Sequence, residues 1–456
     1  MTAFDRFEQR LPALLDELAV SRMPDYADDL LARTAATGQR PGWTFPERWL
    51  PMSALTRSFA AVPRFQIRFA VLVALLLLTA LIGALVAGSF VRHVPTPFGP
   101  AGNGQIAFQD AQGRILLGDP TAQRTTTLVG EPGERSDPLF SQDGSRVFYL
   151  QHRADGKVEV MIVAVDGSGS LKLNPTPVAE PSFGAWSASG DRFLLVDGAS
   201  QLLLYDTSRT AEPRNLSSEF NLGRVSIGLG YNFRSTAAFR PPAGNEIVFA
   251  TLDTRPSLKA IKLDGTGLRT LIDGSNPPVP YRDLKGAEWS PDGSRLLVLL
   301  NQGVAGGDDG SHLFVMNADG SDLRALGAVS SDPSSAINSP LWSPDGKSIA
   351  YQYWTFVSAS GEVFHPIAVV DVATGVAHDV GDTNPNGYIS WEWSPDGTSI
   401  LEVPSDPSGG NDCSSGGCKG LKGGDIVVVN ATDGSVTPTS WQSDAPINWQ
   451  RVAPTR

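Results

Sequence analysis

The stretch SPLWSPDGKSIAY, Ser339–Tyr351, holds one of three copies of Trp-Ser-Pro-Asp-Gly in this 456-residue chain. The copies are Trp289–Gly293, Trp342–Gly346 and Trp393–Gly397, 53 and 51 residues apart. Each spells a tight hairpin. Pro presets φ at the second turn position, Asp bonds its own backbone, and Gly takes the positive φ that closes the turn. An apolar β-type run follows each copy, Arg295–Leu300, Ser348–Tyr353 and Thr398–Val403. The Trp therefore ends one strand and the next begins at once. Looser copies lie upstream: Phe140–Gly144, Trp186–Gly190 and Phe239–Gly244, so that the aromatic anchors recur every 46 to 53 residues. A second turn follows most anchors, at Asp166-Gly167, Asp264-Gly265, Asp319-Gly320 and Asp433-Gly434. The unit is four short strands, and its period is that of propeller blades or a solenoid.

Outer strands end near Leu128, Leu173, Leu216, Leu271, Leu326, Val380 and Ser440, which counts seven units. The first unit, Gln105–Leu128, has no aromatic strand before it. Ile447–Val452 supplies one, with Trp449 in register 56 residues after Trp393. The expected fold is all-β, a seven-bladed β-propeller over residues 104–456 whose last strand completes the first blade and gives every inner edge a partner. A six-bladed ring with one split unit is the alternative. The Ser339–Tyr351 stretch resembles the repeat of TolB-type propellers, relatives of WD repeats, also found in the propeller halves of prolyl-oligopeptidase-like hydrolases. The resemblance covers about residues 101–456 and implies the propeller fold. It implies no particular chemistry, because propellers host many activities and pure binding roles.

Ahead of the repeats, Phe69–Val91 runs 23 residues without a charge. At 1.5 Å per residue this reaches roughly 34 Å, enough to cross a bilayer core. Residues 67–91 are therefore read as a transmembrane helix. Arg48, Arg57, Arg64 and Arg68 flank it on the N-terminal side and Arg92 alone on the other. That asymmetry places the N-terminus in the cytoplasm and the propeller outside it, as in a bacterial single-pass membrane protein. Residues 92–103, rich in Pro and Gly, read as a linker. Of the net charge of −12, residues 1–68 contribute nine Arg against eight Asp/Glu, leaving 27 Lys/Arg against 40 Asp/Glu beyond them. An acidic body of that kind repels nucleic acid and anionic lipid.

Residues 1–66 are too few for a sizeable core. Phe4, Phe7, Leu11, Leu14, Leu15 and Leu18 share one helical face, and a second helix is expected from Pro24 to about Thr37. One reading is a small helical pair with an aromatic segment near the membrane. The other is a docking arm for a cytoplasmic partner of residues 1–50, a layout resembling bacterial anti-sigma factors. Their zinc-binding His-x3-Cys-x2-Cys pattern is absent here, because residues 1–68 contain no His or Cys.

Raw material for catalysis is sparse. The chain has five His and two Cys. His93, His152, His312, His365 and His378 show no ligand spacing, and no Gly-x-Ser-x-Gly elbow, phosphate loop or His-Glu-x-x-His helix occurs. No cofactor or metal is implied. Cys413 and Cys418, in the Gly/Ser-rich loop Ser405–Gly424, are expected to form a disulfide outside the cytosol. The motif residues Asp292, Asp345 and Asp396 each have a turn to hold, and the motif tryptophans read as core between blades.

Topology separates two faces. The repeating turns join first to second and third to fourth strands on one face, and the long individual loops lie on the other. Individual loops on a rigid scaffold are where binding concentrates. The candidates are Tyr231, Phe233, Arg234, Tyr281, Arg282, Asp283, Asp308, Asp309, Trp354, Asn386 and Tyr388. The sequence thus points to a membrane-anchored extracytoplasmic propeller that binds a protein or small ligand as a scaffold. A transmembrane signal transducer and a propeller enzyme of lactonase or lyase type are the alternatives.

Overall fold

The computed structural model describes residues 97–131, 133–227, 238–302, 311–327, 336–357, 361–381, 388–404, 424–443 and 446–453, with Val73, Leu75 and Leu77 as isolated positions. The chain divides into two compact units, residues 1–91 and 92–456. Almost all of the first lies outside the described residues, including the expected helices of residues 1–66 and most of the expected membrane helix. Among the described residues no helix is long and apolar enough to cross a membrane.

The second unit is a seven-bladed propeller of antiparallel sheets. From the inner edge outward, blade 1 is Asn448–Val452, Gly102–Gln109, Ile115–Asp119 and Arg124–Val129; blade 2 is Arg135–Phe140, Arg146–His152, Lys157–Ala164 and Leu171–Lys172, with the short strand Val178–Ala179 also paired to Lys157–Ala164. Blade 3 is Phe183–Trp186, Arg192–Val196, Leu202–Asp206 and Arg214–Asn215; blade 4 is Val225–Ser226, Glu246–Thr251, Leu258–Lys262 and Arg269–Ile272. Blade 5 is Asp283–Trp289, Arg295–Asn301, Ser311–Asn317 and Arg324–Ala325. Blade 6 is Ala336–Trp342, Ser348–Val357, Gly361–Asp371 and Ala377–Val380. Blade 7 is Tyr388–Trp393, Ser399–Pro404, Asp425–Asn430 and Val436–Gln442.

The expected closure is present. Trp449 pairs with Ile106 and Asn448 with Ala107, so the last strand of the chain is the inner strand of its first sheet. Three local features differ from the sequence reading. The first strand starts at Gly102, inside the expected linker, because Gly102 and Asn103 pair with Val452 and Arg451. The outer strand of blade 3 stops at Asn215, whose side chain caps the short helix Leu216–Glu219 by accepting the Ser218 N–H. Blade 4 has a two-residue inner strand, and its anchor Phe239 makes one isolated bridge, to Ile247.

The motif turn has the expected geometry and one role the spacing does not announce. At Trp289–Gly293, Gly293 has φ +67° and its N–H donates to the Ser290 carbonyl at 2.8 Å. Asp292 accepts the Ser294 N–H at 3.0 Å and the Ser290 hydroxyl at 2.5 Å. The Ser290 hydroxyl oxygen in turn accepts the Arg295 N–H at 3.0 Å, and Ser343 and Ser394 do the same for Ser348 and Ser399. The motif serine is thus a buried relay between the turn carboxylate and the strand that follows.

Burial opposes ionisation of Asp292, Asp345 and Asp396. Hydrogen bonds from the motif serine and the residue two positions on outweigh it, so all three pKa values lie below the usual carboxylate value. A depressed folded pKa adds stability that is present above the unfolded value and lost as pH falls through the folded one. Stability should therefore drop below about pH 4. In urea titrations between neutral pH and pH 2, an Asp292→Asn/Asp345→Asn/Asp396→Asn chain should be less stable at neutral pH and show a flatter acid limb. An acid limb identical to the parent's would contradict this.

Blades pack through the anchors. Trp289 is fully buried against Val248 and Leu258 of blade 4. Above three anchors lies an arginine of the preceding blade: Arg146 over Trp186 at 5.1 Å, Arg240 over Trp289 at 4.9 Å and Arg295 over Trp342 at 5.1 Å. Each guanidinium also donates to the glycine carbonyl of the next turn, Gly190, Gly293 or Gly346. One side chain thus combines a cation–π contact with a hydrogen bond across the blade boundary.

Candidate binding site at the ring axis

The inner strands converge on the axis, and their motif ends carry the bulkiest side chains of the repeat. There the structure has a cavity of about 110 Å³. Its wall includes six tryptophans, Trp186, Trp289, Trp342, Trp391, Trp393 and Trp449, and the motif prolines Pro291, Pro344 and Pro395. Phe140 and Leu341 add to it, and Pro97, Phe98 and Gly99 lie across it from the N-terminal side. All blades but the fourth contribute, since Phe239 and its irregular turn are not in the wall. The polar groups at the wall are few: Ser141, Gln142, Ser390, Glu392, Asn448 and Arg451.

Most of these are engaged across the ring seam. Glu392 of blade 7 accepts the Asn448 side-chain amide at 2.9 Å and the Trp449 backbone N–H. Asn448 in turn accepts the Phe140 N–H of blade 2 at 2.5 Å. Arg451 donates to the Gly99 carbonyl at 2.7 Å, and Ala101 N–H donates to the Pro395 carbonyl at 2.8 Å. Burial pulls the Arg451 pKa down to about 10, which leaves it charged at neutral pH. Four wall indoles have backbone acceptors: Trp186 on Leu139, Trp342 on Glu288, Trp393 on Leu341 and Trp449 on Gly104, at 3.0 to 3.3 Å. The indole N–H groups of Trp289 and Trp391 are buried, with no acceptor among the described residues. A buried donor left unmet costs about 1–3 kcal/mol, and neither N–H has surface open to the cavity. Among the described residues no three His, Cys, Asp or Glu side chains gather as a metal site requires.

No protein-family profile and no curated protein matches the chain. Solved propellers resemble it. TolB from Acinetobacter baumannii is 12% identical over 76% of this chain and 66% of that one, just under two thirds, with a TM-score of 0.41. An oligogalacturonate lyase in complex with manganese is 15% identical over 74% and 85% of the two chains, with a TM-score of 0.48. A putative 6-phosphogluconolactonase from Bacteroides uniformis is 14% identical over 76% and 98%, with a TM-score of 0.45. The blade count rests on the strand pairings of this chain itself.

The loop candidates fall at the opposite end of the same strands. Asp283 pairs with Asn301, Trp354 with Ala336 and Tyr388 with Pro404, so these positions of blades 5, 6 and 7 share one face of the ring. Tyr281 is half-buried and donates its hydroxyl to the Pro256 carbonyl; burial pushes its pKa up to about 12, keeping it a neutral donor. Arg282 is exposed, and its backbone N–H donates to Asn301 at 2.8 Å. Tyr231, Phe233, Arg234, Asp308, Asp309, Asn386 and the expected Cys413–Cys418 pair lie outside the described residues. The axial wall was assigned by sequence to scaffold alone. Its one available signal was the crowding of Trp and Pro at a single register of every strong repeat, which convergence on an axis turns into a surface.

Proposed function

We propose that this protein is a membrane-anchored, extracytoplasmic propeller that binds a partner at its ring axis. The observation that carries the reading is the Trp/Pro-lined cavity at the ring axis. A cavity with apolar walls and a few polar groups is the usual form of a ligand site. The uncharged Phe69–Val91 run and the arginines before it support the anchor and its orientation. The individual loops at the opposite end of the strands form a second candidate surface for a protein or small ligand.

The test is a photo-crosslinking residue at Gln142, beside the cavity, compared with one at the exposed outer-strand Thr126, in intact cells carrying a C-terminal tag. The expected result is an adduct from position 142 alone, in protein that resists carbonate extraction and loses its tag to external protease. Extraction by carbonate would remove the anchor, and equal adducts at both positions would remove the axial site. Stoichiometric metal in the purified protein would favour the lyase or lactonase alternative instead.

A further inference from the structure

The cavity wall is largely aromatic and proline carbon, and most of its few polar groups are already engaged across the ring seam. A guest that fits must offer flat apolar bulk to the wall and bring few donors of its own. Free carboxylates suit it poorly, because the ring is strongly acidic and Glu392 already stands at the wall. Extended proline-containing peptide meets each demand. Its backbone makes no internal hydrogen bonds, its prolines have no N–H to leave unmet, and its carbonyls remain free to accept.

The chain itself shows how such a peptide lies there. Pro97-Phe98-Gly99 runs against the wall, its Gly99 carbonyl held by Arg451 at 2.7 Å, and the following Ala101 N–H is held by the Pro395 carbonyl at 2.8 Å. Two backbone groups of a Pro/Phe segment are thus read by residues of blades 1 and 7. The volume left beside it, about 110 Å³, is room for one small apolar ring. An engineered cavity of about 150 Å³ takes benzene, so a pyrrolidine ring is of the right size.

We propose that the axial cavity is a binding site for extended proline-containing peptide, and that the Pro97–Pro100 strap fills part of it in cis. This rests on the axial reading above and adds the class of ligand. A partner segment of that chemistry would extend beside the strap or replace Phe98.

The experiment uses the full-length protein in detergent and three probes followed by tryptophan fluorescence and calorimetry. These are acetyl-Pro-Phe-Gly-Pro-amide, the same peptide with both prolines replaced by glycine, and cyclopentanone as a non-peptide ring with an acceptor. The Phe98→Ala chain should bind the proline peptide at least about fivefold more tightly than the parent, since it no longer fills the site itself. A thermal melt of that variant shows that the ring is intact. Equal binding of the glycine peptide, or cyclopentanone binding with no peptide binding, overturns the ligand class and leaves the axial site standing. No response to any probe in either background overturns both.

Discussion

A chain truncated before Ile447 is expected to lose its cooperative fold, although the ten residues removed are only the end of the sequence. Ile447 is fully buried and Trp449 nearly so, in a cluster with Ile106, Leu401 and Trp441 that joins blades 7 and 1. Deleting one large buried apolar side chain costs about 2–5 kcal/mol. Here two go together, and the strand Gly102–Gln109 loses its ladder to Asn448–Val452. Glu392 also loses the Asn448 and Trp449 donors. The sum exceeds about 5 kcal/mol, comparable to the whole stability of many domains. A synthetic peptide of residues 447–456 should restore part of the transition when added in trans, because the closure is non-covalent. Urea unfolding followed by tryptophan fluorescence reads both effects. A truncated chain with the parent's midpoint would show that the ring does not depend on its seam.

That seam was legible because its signal is periodic. Trp449 falls in the register of the other anchors, and without it the Gly102–Gln109 strand would lack the inner neighbour that every other second strand has. The blade count was legible for the same reason. Two details were not, and each is set by partners far away in sequence. The polar lock of the seam needs Glu392 of blade 7, Asn448 of blade 1 and Phe140 of blade 2 together, and no spacing rule links those three positions. The axial cavity needs the same register in six blades to meet at one axis. Read singly, each Trp is a core residue packed on its neighbouring blade, which is also true of it in the structure. The loop face was legible as a face, since Asp283, Trp354 and Tyr388 share one end of their strands. Which of its residues could act together depends on loop paths, and hydrophobic periodicity says nothing about those.

The same limit yields the second prediction, on two glycines in identical pentapeptides. Gly293→Ala is expected to cost about 3 kcal/mol or more, and Gly346→Ala only about 1–2 kcal/mol. Both have positive φ, +67° and +68°, so both substitutions carry the left-handed strain of an L-residue. The space around them differs. A Cβ on Gly346 would meet the Pro291 ring at 3.4 Å, an ordinary contact. A Cβ on Gly293 would stand 2.0 Å from the Pro241 carbonyl oxygen, so backbone must move. The cause is the turn of the preceding blade. In Phe239–Gly244 the closing bond runs from Gly244 N–H to the Arg240 carbonyl, four residues back, whereas the pentapeptide closes over three. That longer turn brings a carbonyl, not a proline ring, against its neighbour. Arg240 adds to the sensitivity, because the guanidinium over Trp289 also donates to the Gly293 carbonyl at 3.1 Å and would shift with it. Gly397→Ala serves as a control: its Cβ would meet the Pro344 ring at 3.4 Å, and its cost should match that of Gly346→Ala. Equal destabilisation at 293 and 346 in urea unfolding would mean that φ strain alone sets the cost and that the blade 4 turn yields freely.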